Sequence, residues 1–361
     1  MGEVLVKIVY CVFFMYFVIV IENIFLENVK RSGVLISLVL FLLIISIGVI
    51  FGMQLNISEG KQMPFGISII FFVFWIWTLG SSQLSFIRAP KVLKEAVRES
   101  LKNGPKQLPL PKGFREEMLD IQNFGKIQRI SIGDFSRGDA LFIVPGNALQ
   151  AVHYESLLRE YYKMTGKAAF TISLPGTGKS EGSVDQTTEK FVDILAEVIK
   201  VSCKDEIILL GHSYGGELAN HLANREEIKI NLLVLLSANS IDKTDQFMYR
   251  LLKKLFLELR IIRKHFASVS MMMEWGNDTE ELVKVAGSLK FEYPSSAMLD
   301  GFTESLPENI PVIFISGNRE RIIPQKSLGG VRKIQVNGGH LVITEAHAKE
   351  VINHIVLSLF G

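Results

Sequence analysis

Glu206-Ile207-Ile208-Leu209-Leu210-Gly211-His212-Ser213-Tyr214-Gly215-Gly216-Glu217 decides the fold of this chain. The apolar run from Glu206 to Leu210 reads as a buried strand, and Glu217 to Asn224 reads as a helix. Between them stands Gly-x-Ser-x-Gly, the spelling of a sharp strand-to-helix elbow that carries a nucleophilic serine. Such a turn forces the serine into strained φ/ψ, and small residues on either side let strand and helix approach without Cβ clashes. Gly211, Gly215 and Gly216 supply that room.

Outward from the elbow, apolar runs alternate with helical stretches from about Phe114. The strands expected are Lys126 to Ile132, Ala140 to Val144, Ala168 to Leu174, Glu206 to Leu210, Asn231 to Leu236, Pro311 to Ser316 and Lys333 to Val336. The helices expected are Leu149 to Met164, Thr187 to Val201, 215 to 224 and Thr344 to Phe360. This order predicts an α/β fold, a doubly wound and mostly parallel sheet with helices on both faces. The interval 240–306 shows helical periodicity without a strand and reads as a helical cap. Within it Met248, Leu252, Leu255, Leu259, Ile262 and Phe266 form an apolar stripe flanked by basic residues. That stripe packs on the sheet domain in one reading and touches anionic lipid in another.

A serine hydroxyl near neutrality needs a base, an acid to orient that base, and donors for the oxyanion. On such a sheet the groups follow in the order Ser, acid, His, each after a strand end. Ser213, Glu320 in Gly317 to Pro324, and His340 after Gly338-Gly339 meet that order. His347 and His354, seven apart on the last helix, read as packing or surface residues, and His212 and His221 as packing or pocket lining. Asp278 and Asp300 are rival acids from the cap, and Lys179 reads as a solvated charge. Gly176-Thr177-Gly178-Lys179-Ser180 imitates the end of a P-loop, but Ser173 stands where that motif requires glycine, so nucleotide binding is rejected.

With these residues in place, 114–361 resembles the α/β-hydrolase superfamily in its lid-bearing esterase, lipase and peptidase branch. Gly317 to Pro324 matches the family's acid loop with glutamate in place of aspartate, and Gly338 to His340 matches its Gly-Gly-His. Pro175-Gly176-Thr177-Gly178-Lys179-Ser180 matches the loop after its fourth strand. Pro145-Gly146-Asn147 matches its oxyanion loop, with proline for the frequent histidine. The resemblance implies a catalytic Ser213, His340 and Glu320, oxyanion donors at the N–H groups of Asn147 and Tyr214, and no metal or organic cofactor.

The front of the chain is different in kind. Of 361 residues 48% are hydrophobic, and the excess lies early. Val4 to Ile21, Val34 to Gly52 and Pro64 to Gly80 are three apolar runs, the first broken only by Lys7. Nineteen helical residues rise about 28 Å, enough for the hydrocarbon core, so 1–87 reads as about three transmembrane helices rather than a cleaved signal peptide. Arg88, Lys91, Lys94, Arg98 and Lys102 follow the third run and place the bulk domain in the cytoplasm. Two cysteines, Cys11 and Cys203, give no disulfide framework, and a net charge of +2 gives no sign of nucleic acid as a partner. Residues 88–113 read as an amphipathic helix lying on the membrane surface, Lys91 to Asn103, and a proline-containing linker.

The expected activity is hydrolysis of a carboxylic ester, lipid-like in view of the membrane segments and the adaptable apolar Met271, Met272 and Trp275 of the cap. Thioester or amide cleavage uses the same groups, and a membrane scaffold or sensor that binds without turnover is the alternative of another class.

Overall fold

A computed structural model of the chain describes residues 86–360 apart from 239–267, 291–304, 321–330 and the single positions 87, 137, 138, 185, 204, 226, 270 and 274. The three apolar segments, the Met248 to Phe266 stripe, Asp300 and Ile323-Pro324 lie outside the described residues. The chain divides into two units, 1–78 and 79–361, and the described residues all belong to the second.

The centre of that unit is one sheet of eight strands: β1 (Arg115–Ile121), β2 (Gly125–Ile132), β3 (Ala140–Val144), β4 (Ala169–Ile172), β5 (Ile207–His212), β6 (Ile230–Leu236), β7 (Val312–Gly317) and β8 (Arg332–Val336). Their order across the sheet is β1-β2-β4-β3-β5-β6-β7-β8. The β1–β2 and β2–β4 pairs are antiparallel, and every pair from β4 onward is parallel. The strand order reverses at β3, so the chain leaves β3 and β5 side by side at their carboxyl ends. In doubly wound sheets that crevice is where ligands bind.

Parallel strands covered on both faces read as continuous apolar runs, and alternation then sends successive side chains to opposite layers. Ile208 and Leu210 of β5 join one core with Leu232, Val234 and Leu236 of β6; Ile207 and Leu209 join the other with Leu233 and Leu235. The helices are α1 (Lys91–Asn103), α2 (Glu155–Thr165, entered through the 3-10 turn Ala151–Tyr154), α3 (Thr188–Ser202), α4 (Tyr214–Ala223), α5 (Thr279–Ala286) and α6 (Glu345–Phe360). The core on one face contains residues of α1, α2, α5 and α6, and the core on the other residues of α3 and α4.

Two expectations are corrected here. Helix α1 does not present its apolar side to a lipid surface: Leu93 and Val97 are fully buried in the core, and Ser100 Oγ donates to Leu289 O at 2.8 Å. The linker after it is pinned too, with Lys106 N–H donating to Gly287 O at 2.9 Å. The second concerns β1, a strand that the periodicity of the sequence does not predict. It is an edge strand paired along its whole length with β2, and only Ile121 of its seven residues is buried. Among the described residues no helix is long and apolar enough to cross a membrane.

Candidate active site

Ser213 opens α4 with φ 53° and ψ −121°, a backbone conformation that a non-glycine residue holds only when its surroundings enforce it. The enforcement is visible. Ser213 N–H donates to Leu236 O at 3.0 Å and Gly216 N–H to Ser213 O at 3.0 Å. A Cβ on Gly211 would lie 2.4 Å from Gly215 O, and one on Gly215 would lie 2.3 Å from Val144 O. Glycine at both positions is therefore a condition of the turn. Ser213 itself is partly exposed, as a nucleophile must be.

His340 sits four residues beyond β8, and Glu320 three beyond β7, two parallel neighbours paired at Gly317 and Val336. Their loops interlock: Asn318 N–H donates to Val336 O at 2.9 Å and Arg319 N–H to Gly338 O at 2.8 Å. His340 Nδ1 lies 2.5 Å from Glu320 Oε1, with both side chains buried. Trp275 covers the imidazole at a ring separation of 5.6 Å, and its carbonyl accepts the His340 N–H at 2.6 Å. Glu320 Oε2 is buried without a hydrogen-bond partner among the described residues.

The oxyanion loop meets the elbow directly. A Cβ on Gly146 would lie 2.9 Å from His212 Nδ1 and 3.2 Å from Ser213 Cβ, so the backbone at 146 passes against the nucleophile's turn. Asn147 is next, partly exposed, and Tyr214 is the first residue of α4, where the leading N–H groups of a helix have no partner within it.

The structure thus joins His340 to Glu320 and brings the elbow and the 145–147 loop into contact. Between the Ser213 hydroxyl and His340 it shows no hydrogen bond, a step that catalytic groups often complete only with substrate bound. The link between them runs through His212, whose ring stands 5.1 Å from that of His340. Burial, with His340 beside it, pushes the His212 imidazole down to about 3, so it is neutral and a fixed part of the framework. Of the three proposed substrate contacts, Trp275 lies on the base, Met272 is fully buried in the core and Met271 packs partly buried against it.

The competing assignments separate cleanly. Asp278 is exposed and pairs with Arg319 at 3.0 Å, and that guanidinium holds its carboxyl below the usual range. His347 Nε2 stands 3.1 Å from Glu281 Oε1, which also accepts from Thr344 Oγ1 at 2.6 Å. That cluster ties α5 to the start of α6. Lys179 forms an exposed pair with Glu116 at 2.8 Å. The Ser180 hydroxyl donates to Ser173 O at 2.6 Å and accepts from Gln128 N–H at 2.9 Å, which occupies it in holding its own loop.

Sequence reasoning missed Tyr154. Its hydroxyl accepts from Gly146 N–H at 2.7 Å and lies 2.9 Å from His212 Nδ1. The one available signal was weak: a tyrosine in an apolar helix start must find a partner for its hydroxyl if it is buried.

Comparison with known proteins agrees with this architecture. A family model described as alpha/beta hydrolase fold matches residues 139–289. The structure is similar to the Cif epoxide hydrolase from Acinetobacter nosocomialis, with 18% identity, 74% of this chain and 96% of that one covered, and a TM-score of 0.52. It is similar to naproxen esterase (carboxylesterase NP) from Bacillus subtilis, with 14% identity, 74% and 97% covered, and a TM-score of 0.52. A bromoperoxidase from Bacillus anthracis aligns with 16% identity, 68% and 100% covered, and a TM-score of 0.50. No curated protein sequence matches the chain. These comparisons define the class by its architecture: the chain has the alpha/beta hydrolase fold.

Proposed function

We propose that the chain is a serine hydrolase that cleaves carboxylic esters through Ser213, His340 and Glu320. The observation that carries this reading is the buried His340–Glu320 pair at 2.5 Å, set on the same rim of the sheet as the strained Ser213 elbow. A carboxylate on Nδ1 holds the imidazole with Nε2 free to accept a proton. In the proposed cycle the Ser213 oxygen bonds to the acyl carbon while its proton passes to His340 Nε2, and the oxyanion is held by the N–H groups of Asn147 and Tyr214. The protonated His340 then gives that proton to the leaving alcohol. Water, deprotonated by His340, releases the acid and restores the serine.

The substrate proposed is lipid-like, and the domain is proposed to stand on the cytoplasmic side of a membrane anchored by 1–87. The three apolar runs and the basic residues after them support this. Thioester and amide substrates suit the same groups. The missing Ser213–His340 hydrogen bond favours a second reading, a non-catalytic scaffold that retains the fold.

A fluorophosphonate probe on the full chain separates the two. Labelling of the wild type and none of Ser213→Ala is the expected result, and a folded wild type that takes no label would leave the scaffold. A series of p-nitrophenyl esters of rising chain length tests the substrate, and preference for acetate would remove the lipid proposal.

A further inference from the structure

Beneath the proposed site one line of buried hydrogen bonds joins three of the loops that carry its groups, those of Asn147, Ser213 and His340. Gly146 N–H donates to Tyr154 Oη at 2.7 Å, Tyr154 Oη lies 2.9 Å from His212 Nδ1, and His212 Nε2 lies 3.1 Å from the carbonyl oxygen of His340. Tyr154 and His212 are completely buried, and His340 nearly so. The Tyr154 ring meets the His212 ring edge to face at 5.8 Å.

The polarity of this line is fixed by elimination. His212 is neutral, so it has one ring N–H and one lone pair. A carbonyl only accepts, so the N–H is on Nε2 and points to His340. The lone pair on Nδ1 then needs a donor, and the Tyr154 O–H is the hydrogen available to it. The Tyr154 oxygen is left to accept, and it accepts Gly146 N–H. Each member therefore has one arrangement in which all are satisfied, which is the condition for a buried polar network to rigidify its surroundings.

What the line holds are the backbone positions that matter for acyl transfer. One end fixes the peptide of Gly146, and hence the course of the chain into Asn147. The middle is the residue before the nucleophile. The other end is the main chain of the base. Resting on the serine-hydrolase reading above, we infer that Tyr154 and His212 are positioning residues that set the oxyanion loop and the base relative to Ser213 without touching the substrate.

Tyr154→Phe keeps the ring and removes the one oxygen, leaving Gly146 N–H and His212 Nδ1 buried without partners. Kinetics on an ester substrate, expressed per active site titrated with fluorophosphonate, read out the effect. The expected result is a fall in kcat of about tenfold or more with KM within about twofold, since the change bears on groups aimed at the transition state. A trifluoromethyl ketone, which forms an oxyanion on the serine, should weaken by a matching factor. His212→Leu should lower kcat too, and the double variant should cost no more than the worse single one, because the line acts as a unit. A Tyr154→Phe enzyme with wild-type kcat per titrated site, or a loss explained entirely by fewer titratable sites, overturns the inference. Wild type that takes no label at Ser213 overturns the serine-hydrolase reading itself, so the two failures are distinct.

Discussion

Placing a methyl group on Gly216 tests the elbow through packing alone. The added Cβ would stand 2.3 Å from the Cβ of Ala238 and 3.2 Å from Gly211 O. Carbon atoms in contact keep about 3.5–4.0 Å, so α4 or the chain after β6 must give by more than about 1 Å. Ala238 is fully buried two residues beyond the end of β6, which leaves no cheap way to yield. Gly216→Ala should therefore destabilise the domain by about 2–3 kcal/mol, the upper part of the range for overpacking. The displacement passes to the nucleophile because Gly216 N–H is bonded to Ser213 O. A shift of about 1 Å at a catalytic group lowers the rate on the order of a hundredfold.

Ala238→Gly supplies the control, since it deletes the atom that the new methyl meets. Alone it should cost about 1–2 kcal/mol, from one lost buried methyl and a more flexible backbone. Combined with Gly216→Ala it should relieve the clash and return the double variant to about the cost of Ala238→Gly alone, a favourable coupling of about 2–3 kcal/mol in a double-mutant cycle. Chemical unfolding of the four proteins and their fluorophosphonate labelling rates measure both quantities. A Gly216→Ala protein with wild-type stability and labelling, or a double variant worse than either single, would refute the close approach of α4 to the end of β6.

Two more outcomes rest on burial. His212, held down to about 3 against an ordinary 6.5, takes no proton on acidification while the unfolded chain does. Its contribution is complete above pH 6.5 and falls as the pH drops toward 3, reaching a loss of about 2 kcal/mol by pH 5; His153, pushed down to about 4 by burial, acts in the same sense. Unfolding free energies between pH 7.5 and 5 should show this slope, and His212→Asn should flatten it by about one proton; an unchanged slope counts against a buried neutral ring. Leu93→Ala should cost about 2–4 kcal/mol in unfolding experiments while the exposed Val92→Ala stays within about 0.5 kcal/mol, and equal small effects would mean that α1 is not docked on the core.

The parallel strands were legible because burial on both faces leaves runs such as Ala140 to Val144, found with the expected bounds, and Ile230–Leu236, found one residue longer. The candidates Ser213 and Glu320 stand out because each comes after such a run, and His340 because it follows Gly338-Gly339 at the exit of the half-exposed edge strand β8. Strand β1 was not, since Arg115, Glu116, Glu117 and Asp120 hide a strand whose stability comes from backbone pairing at a solvated edge. Amphipathicity announced the apolar side of α1 but not what covers it, and the structure covers it with protein. The helix expected from Leu149 begins with a 3-10 turn, because Gln150 and His153 bond across it: Gln150 N–H donates to His153 Nδ1 at 2.8 Å.

That turn shows why the missing part of the site was hidden. It delivers Tyr154, whose hydroxyl partners are a main-chain N–H eight residues earlier and a ring 58 residues later. No periodicity or motif encodes such a meeting, because a backbone donor has no identity in the sequence. The groups that would react are residue types with few substitutes, so they mark themselves by spelling and position. The groups that hold them work through shape and hydrogen-bond polarity, which exist only once β3, β5 and β8 lie in one sheet. A chain that kept Ser213, His340 and Glu320 but lost the Tyr154 hydroxyl would keep every reacting group in its sequence, yet it would leave Gly146 N–H and His212 Nδ1 buried without a partner.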